Sequence, residues 1–112
     1  MQVSALELQA LCTQLTEGQA GPLLLDVREP WEAALARIEL PGLPQRLMPM
    51  GQVGQGWEEL DPAQPVVCYC HHGVRSLQVV AFLRRQGFDS VYNLAGGIDA
   101  WSQDVDPSVP RY

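Results

Sequence analysis

The apolar positions fall into two kinds of pattern. Leu8, Leu11, Cys12 and Leu15 recur at helical spacing behind Ser4-Ala5-Leu6-Glu7, which has the spacing of a capping box, and Gly18 is the expected stop of this first helix. Leu23-Leu24-Leu25-Asp26-Val27 is instead a continuous apolar run of strand length, and its lack of alternation predicts burial on both faces. Pro30 suits the first turn of a helix through Trp31-Glu32-Ala33-Ala34-Leu35-Ala36, because its missing N–H would be unpaired there anyway. Val66-Val67-Cys68-Tyr69 reads as a second buried strand, Ser76 to Gln86 as a helix stopped by Gly87, and Ser90-Val91-Tyr92-Asn93 as a third strand. Strands that alternate with helices predict the α/β class, with a mostly parallel sheet covered by helices on both faces.

Between Pro41 and Gln64 the period is broken by Pro41, Pro44, Pro49, Pro62, Gly42, Gly51, Gly54 and Gly56. Arg46-Leu47-Met48 is the expected short strand there and Trp57-Glu58-Glu59-Leu60 the expected helical turn. Gly96-Gly97 opens a short helix through Trp101, and the tail from Asp104 to Tyr112, with Pro107 and Pro110, is expected to be extended, with docking onto the domain as an option. Trp31, Trp57 and Trp101 are expected to pack in or near the core.

The 112 residues suit one domain with one core, and a content of 46% apolar and 18% charged residues is that of a globular protein. No apolar run is long enough to span a bilayer, so membrane insertion is not expected. The formal charge of −6 and the scatter of the seven basic residues, all arginine, argue against a nucleic-acid surface, which needs clustered cations. The start of the chain lacks a signal-like segment and its three cysteines cannot all pair within one molecule, which together fit a reducing cytoplasm.

Candidate chemistry concentrates in Cys70-His71-His72-Gly73-Val74-Arg75-Ser76, between the second predicted strand and its following helix. A strand that ends at a cysteine, turns through glycine and enters a helix aims backbone N–H groups and the positive helix end at the sulfur. Arg75 adds a fixed charge, and both effects favour the thiolate, the nucleophilic form. Cys70 is therefore the candidate catalytic residue, and residues 71–76 the candidate substrate- or anion-binding loop, with Ser76 as a supporting hydrogen-bond group and the Arg75 guanidinium turned inward to backbone carbonyls or substrate oxygens.

Three motifs in order then resemble the rhodanese (thiosulfate sulfurtransferase) family: Asp26-Val27-Arg28-Glu29 with Glu32, the loop Cys70 to Ser76, and Leu94-Ala95-Gly96-Gly97-Ile98-Asp99-Ala100-Trp101. The resemblance runs from the first helix to about Trp101 and implies a rhodanese-like fold over a single domain of residues 1–112, with 104–112 as tail. It implies a sulfurtransferase in which Cys70 cycles through a persulfide, loaded by a sulfane donor such as thiosulfate and unloaded by cyanide or a thiol. The implied partners are small sulfur-containing anions and thiol acceptors, a protein sulfur acceptor among them, and the expected oligomeric state is a monomer. No cofactor beyond the transient persulfide and no metal are implied. The loop from Cys70 to Arg75 has six residues, whereas related cell-cycle phosphatases use one residue more to enclose an oxyanion, so phosphatase or arsenate reductase activity is disfavoured. Where many relatives have Gly-His-Ile after the second helix, this chain has Ala36-Arg37-Ile38.

Other readings stay open at this level. A rhodanese-like module that only carries sulfur or binds a partner would have the same motifs. The lesser reading of Cys70 is a buried strand-end cysteine, and Cys12 and Cys68 are read as core residues. Zinc ligation by Cys68, Cys70, His71 and His72 is disfavoured because adjacent ligands in one tight loop do not form a tetrahedron. His71 and His72 are expected at the pocket mouth, attracting anions when protonated. Asp26 and Arg28 are read as a supporting polar brace, Glu32 as a helix-turn anchor, and Gly96 and Gly97 as sites of close backbone approach behind the loop.

Overall fold

Leu23 and Leu25 pack on one side of a sheet and Leu24 on the other, and the same division separates Val66 and Cys68 from Val67 and Tyr69. The period-two alternation of a strand thus feeds two cores, which is why both segments are apolar throughout. In this computed structural model, which describes residues 2–16 and 21–112, the sheet has five strands. These are β1 (Gln2–Val3), β2 (Leu23–Asp26), β3 (Gln45–Leu47), β4 (Val66–Tyr69) and β5 (Val91–Leu94), in the order β1-β5-β4-β2-β3. All of their pairings are parallel, with Leu25 opposite Cys68 and Cys68 opposite Asn93.

Helices α1 (Ala5–Thr16) and α5 (Gly97–Asp104) cover one face, contributing Leu8, Cys12, Ile98 and Trp101 to its core. On the other face α3 (Met50–Gly56) and α4 (Val74–Arg85) contribute Val53, Val79, Val80 and Leu83. The remaining helix, α2 (Pro30–Leu35), follows β2 with Pro30 at its start and a capping box between Glu29 and Glu32. The box predicted for α1 is present as well: Glu7 N–H donates to Ser4 Oγ and Ser4 N–H to Glu7 Oε1. The predicted stop at Gly18 lies outside the described residues.

Several expectations are corrected. The segment Met50–Gly56 is helical despite three glycines, and one of them has a packing reason, since a Cβ on Gly56 would stand 3.1 Å from Met48 Cε. The short strand begins at Gln45, one residue before the expected position. Helix α4 starts at Val74, not Ser76, because Gly73 completes the turn with a φ of 102° that glycine adopts without strain. Trp31 is 61% exposed and is not a core residue, whereas Trp101 is fully buried. The tail is docked, as the sequence allowed, but not extended: α5 continues through Asp104, and turns follow before Val109 enters the core with its carbonyl accepting from Ser102 Oγ.

Chain order in the sheet reverses between β2 and β4, since β3 lies beyond β2 while β5 lies beyond β4 on the other side. In open parallel sheets such a reversal leaves a crevice at the carboxyl ends of the two strands. At the carboxyl ends of β2 and β4 stand Asp26-Val27-Arg28 and the Cys70 loop.

Candidate active site

Cys70 is the first residue beyond β4, and its side chain sits inside the turn that follows. Its Sγ accepts from the N–H of Gly73 at 3.1 Å, from the N–H of Ser76 at 3.4 Å and from the Ser76 hydroxyl at 3.3 Å. The sulfur therefore takes the place that a side-chain cap oxygen takes at other helix N-termini, here that of α4. Burial pushes the thiol up, but the Ser76 hydroxyl and the N–H groups of Ser76, Gly73 and Arg75 outweigh it and hold Cys70 below the ordinary cysteine range. Cys68, two residues earlier in the same core, has no such donors, and burial pushes its thiol well above that range.

The outward-facing carbonyls of the loop are claimed from behind. Ile98 N–H donates to Cys70 O at 2.9 Å and Asp99 N–H to His71 O at 3.1 Å, so the first turn of α5 grips the back of the loop. Gly97 makes this approach possible: at its φ of 61° a Cβ would lie 2.4 Å from both the Cys70 and the His71 carbonyl oxygens. Gly96 backs the turn itself, with its N 3.2 Å from where a Cβ on Gly73 would stand.

The single proton of the Ser76 hydroxyl is shared between Cys70 Sγ and Asn93 Oδ1, both within hydrogen-bond reach of Oγ. Asn93 Nδ2 in turn donates to Gly73 O at 3.2 Å and to Gln2 Oε1 at 2.8 Å. The side-chain network behind the sulfur thus runs back to the edge strand β1, and sequence reasoning missed both Asn93 and Gln2.

Val74 belongs to the first helical turn and is 69% exposed, so only its backbone serves the loop. The Arg75 guanidinium does not turn inward to carbonyls as expected. Its two Nη atoms donate to the two carboxylate oxygens of Glu32 at 2.6 and 2.8 Å. That fork holds Glu32, which is buried, at a pKa of about 2. Arg28, fully buried, makes a second fork to Asp26 through Nε and Nη2, and also donates to the carbonyls of Glu32 and Ala36. Between the two pairs stands Tyr112, whose hydroxyl accepts from Arg28 at 3.0 Å and donates to Glu32 at 2.8 Å.

This cradle can hold a sulfur anion by backbone and hydroxyl donors, with its charge-bearing supports fixed from the far side. A model of the rhodanese-like domain family matches residues 8–104. The chain belongs to the rhodanese family.

A sulfurtransferase from Allochromatium vinosum is 35% identical over 108 residues, which cover 96% of this chain and 95% of that protein. The chloroplastic rhodanese-like/PpiC domain-containing protein 12 of Arabidopsis thaliana is 45% identical over 94 residues, but this chain matches only 30% of its length. Among solved structures, a rhodanese-like domain protein from Staphylococcus aureus superimposes with a TM-score of 0.74 at 27% identity, covering 99% of this chain and 97% of that one. A rhodanese-related protein from Thermoplasma volcanium gives 0.76 at 26% identity, covering 99% and 98%.

The two histidines of this rhodanese domain lie on the outer side of the loop. His71 is sandwiched between His72 and the Tyr112 ring, at centroid distances of 4.0 and 3.9 Å. Burial and the neighbouring His72 hold His71 below the ordinary imidazole range, which disfavours the protonated form expected to attract anions. His71, His72 and Asp99 bring potential metal-ligand atoms within 4.8 Å of one another. The rings are stacked, not convergent, and Asp99 is already bound by Arg111 and Gln103, a poor arrangement for a tetrahedral ion.

Proposed function

We propose that this rhodanese domain is a sulfurtransferase with Cys70 as nucleophile and persulfide carrier. The observation that carries the reading is the set of three donors on Cys70 Sγ, which lowers the thiol pKa in spite of burial. The sulfurtransferase name of the Allochromatium relative, matched over nearly its whole length, supports the same class of reaction.

In the first half-reaction the Cys70 thiolate attacks the outer sulfur of thiosulfate. The S–S bond of the donor breaks, sulfite leaves with the electron pair, and a persulfide anion remains on Cys70. In the second, cyanide or a thiolate attacks the outer persulfide sulfur, and the thiolate of Cys70 is restored with thiocyanate or an acceptor persulfide as product. The Gly73 and Ser76 N–H groups and the Ser76 hydroxyl stabilise negative charge on sulfur at each stage. Arg75 acts through Glu32 and through its own backbone N–H. No resident cofactor or metal takes part, and the reaction suits a reducing compartment such as the cytoplasm.

The test is thiocyanate formation from thiosulfate and cyanide, together with an intact mass of the unreduced protein showing one added sulfur. Cys70→Ser should lose both while keeping the fold. Equal rates for the wild type and this variant would overturn the assignment, and Cys70-dependent hydrolysis of an aryl phosphate would replace it with phosphoryl chemistry.

A further inference from the structure

Tyr112 bridges the two ends of the Cys70 loop, touching His71 directly and Arg75 through Glu32. Its ring lies 3.9 Å from that of His71, the residue after the nucleophile, at an interplanar angle of 8°. Its hydroxyl donates to Glu32, whose other contacts include the guanidinium of Arg75 at the opposite end of the loop. Burial pushes the hydroxyl up to about 12, so near pH 7 it stays protonated and able to donate to Glu32 while accepting from Arg28.

The segment that carries Tyr112 is clamped in turn. Arg111 Nε donates to Asp99 Oδ1 at 2.9 Å, and Val109 is buried beneath it. The Trp31 and Tyr112 rings meet edge to face, with centroids 6.3 Å apart. Cys70 itself is 1% exposed, so a donor must reach its sulfur past the groups that frame the loop.

We propose that Tyr112 is a specificity-determining and positioning residue of the sulfur-transfer site, standing across the loop between His71 and the Glu32–Arg75 pair. It leaves passage for small inorganic sulfane donors and screens out donors with a bulky organic group. The discrimination is by exclusion: a planar ring held by two hydrogen bonds and a stack yields less readily than a free side chain. This inference rests on the sulfurtransferase reading, but the exclusion acts on any reagent approaching Cys70.

Two measurements separate those layers. The first is the alkylation rate of Cys70 by iodoacetamide and by N-phenylmaleimide, localised by fragment mass so that Cys12 and Cys68 do not contribute. The second is the ratio of kcat/KM for benzenethiosulfonate, which loses benzenesulfinate on attack at its outer sulfur, to that for thiosulfate. Tyr112→Ala should raise both bulky-to-small ratios by about tenfold, whereas Tyr112→Phe, which keeps the stack on His71 and loses the two hydrogen bonds, should raise them by only about twofold to threefold. Should Tyr112→Ala not fold, Tyr112→Leu carries the same expectation, because it lacks both the stack and the hydroxyl bridge. Unchanged ratios in the folded variant overturn the screen. Sulfur transfer from neither donor, with the alkylation ratio shifting as expected, overturns the sulfurtransferase reading and leaves the screen standing.

Discussion

Both carboxylate oxygens of Glu32 are held by the two Nη atoms of Arg75, from positions 43 residues apart in the chain. The fork ties α2 to the first turn of α4, and so fixes the helix end that faces Cys70. Glu32→Gln keeps the shape but leaves Arg75 without its counter-charge. It should slow sulfur transfer by about tenfold to a hundredfold and shift the alkylation profile of Cys70 to higher pH. Arg75→Lys should move both in the same direction, since an ammonium cannot reproduce the two parallel bonds. A loss of thermal stability with an unchanged alkylation profile would show that the pair only braces the fold.

The same pair predicts an acid transition. The Glu32 pKa is depressed from an ordinary 4.5 to about 2, mainly by the hydrogen bonds from Arg75. A depressed carboxylate contributes stability that is complete above its unfolded pKa and is lost as pH falls through its folded one. Glu32 should therefore supply about 2–3 kcal/mol near pH 6, reduced for the partial exposure of Arg75, and this should disappear between pH 4.5 and 2. Denaturant titrations at several pH values check it: the gap between the wild type and Glu32→Gln should close over that window.

What could be read from the sequence and what could not divides along local and distant contacts. Cys70, Gly73 and Ser76 interact within seven consecutive residues, and β2 and β4 announce themselves as unbroken apolar runs, so the cradle and its sheet were legible. The strand β1 has two residues and no pattern, yet its Gln2 reaches the network behind the sulfur. The helix α3 hides behind its glycines because Val53 and the packing of Met48 against Gly56 hold it, not intrinsic propensity. Tyr112 gives no local signal at all: its partners Glu32 and Arg28 lie 80 and 84 residues away, and only the folded tail brings them together.

Gly97 should tolerate no side chain. Its backbone is in the left-handed region, and a Cβ would overlap two carbonyl oxygens of the Cys70 loop at 2.4 Å. Gly97→Ala should cost at least about 2–3 kcal/mol and displace the loop from α5. Chemical denaturation gives the first quantity, and the loss of sulfur transfer at a temperature where the variant is still folded gives the second.

The buried brace between Asp26 and Arg28 should be as intolerant for an electrostatic reason. Arg28 is fully buried and takes both oxygens of Asp26, so Asp26→Asn strands a charge in the interior. A destabilisation of about 3–5 kcal/mol is expected, as for other broken buried pairs. Replacing Asp26 and Arg28 together by apolar residues should cost less than Asp26→Asn alone, and a double-mutant comparison of unfolding midpoints would decide it.

Cys68 and Cys70 lie two residues apart in one core, yet the shifts in their thiols have opposite signs. Burial acts on both, so the difference comes from the donors that surround only Cys70: the N–H groups at the start of α4 and the Ser76 hydroxyl. Ser76→Ala should accordingly slow alkylation of Cys70 at neutral pH and displace its profile upward, with Asn93 losing a partner as well. Cys68→Ala should do neither, since its thiol serves as a small apolar group packed between strand and helix. Its effect should be a stability loss of about 1–2 kcal/mol with sulfur transfer close to the wild type. A longer-lived persulfide on Cys70 in that variant, seen by intact mass over time, would instead make Cys68 a resolving thiol and require the loop to open far enough for the two sulfurs to meet.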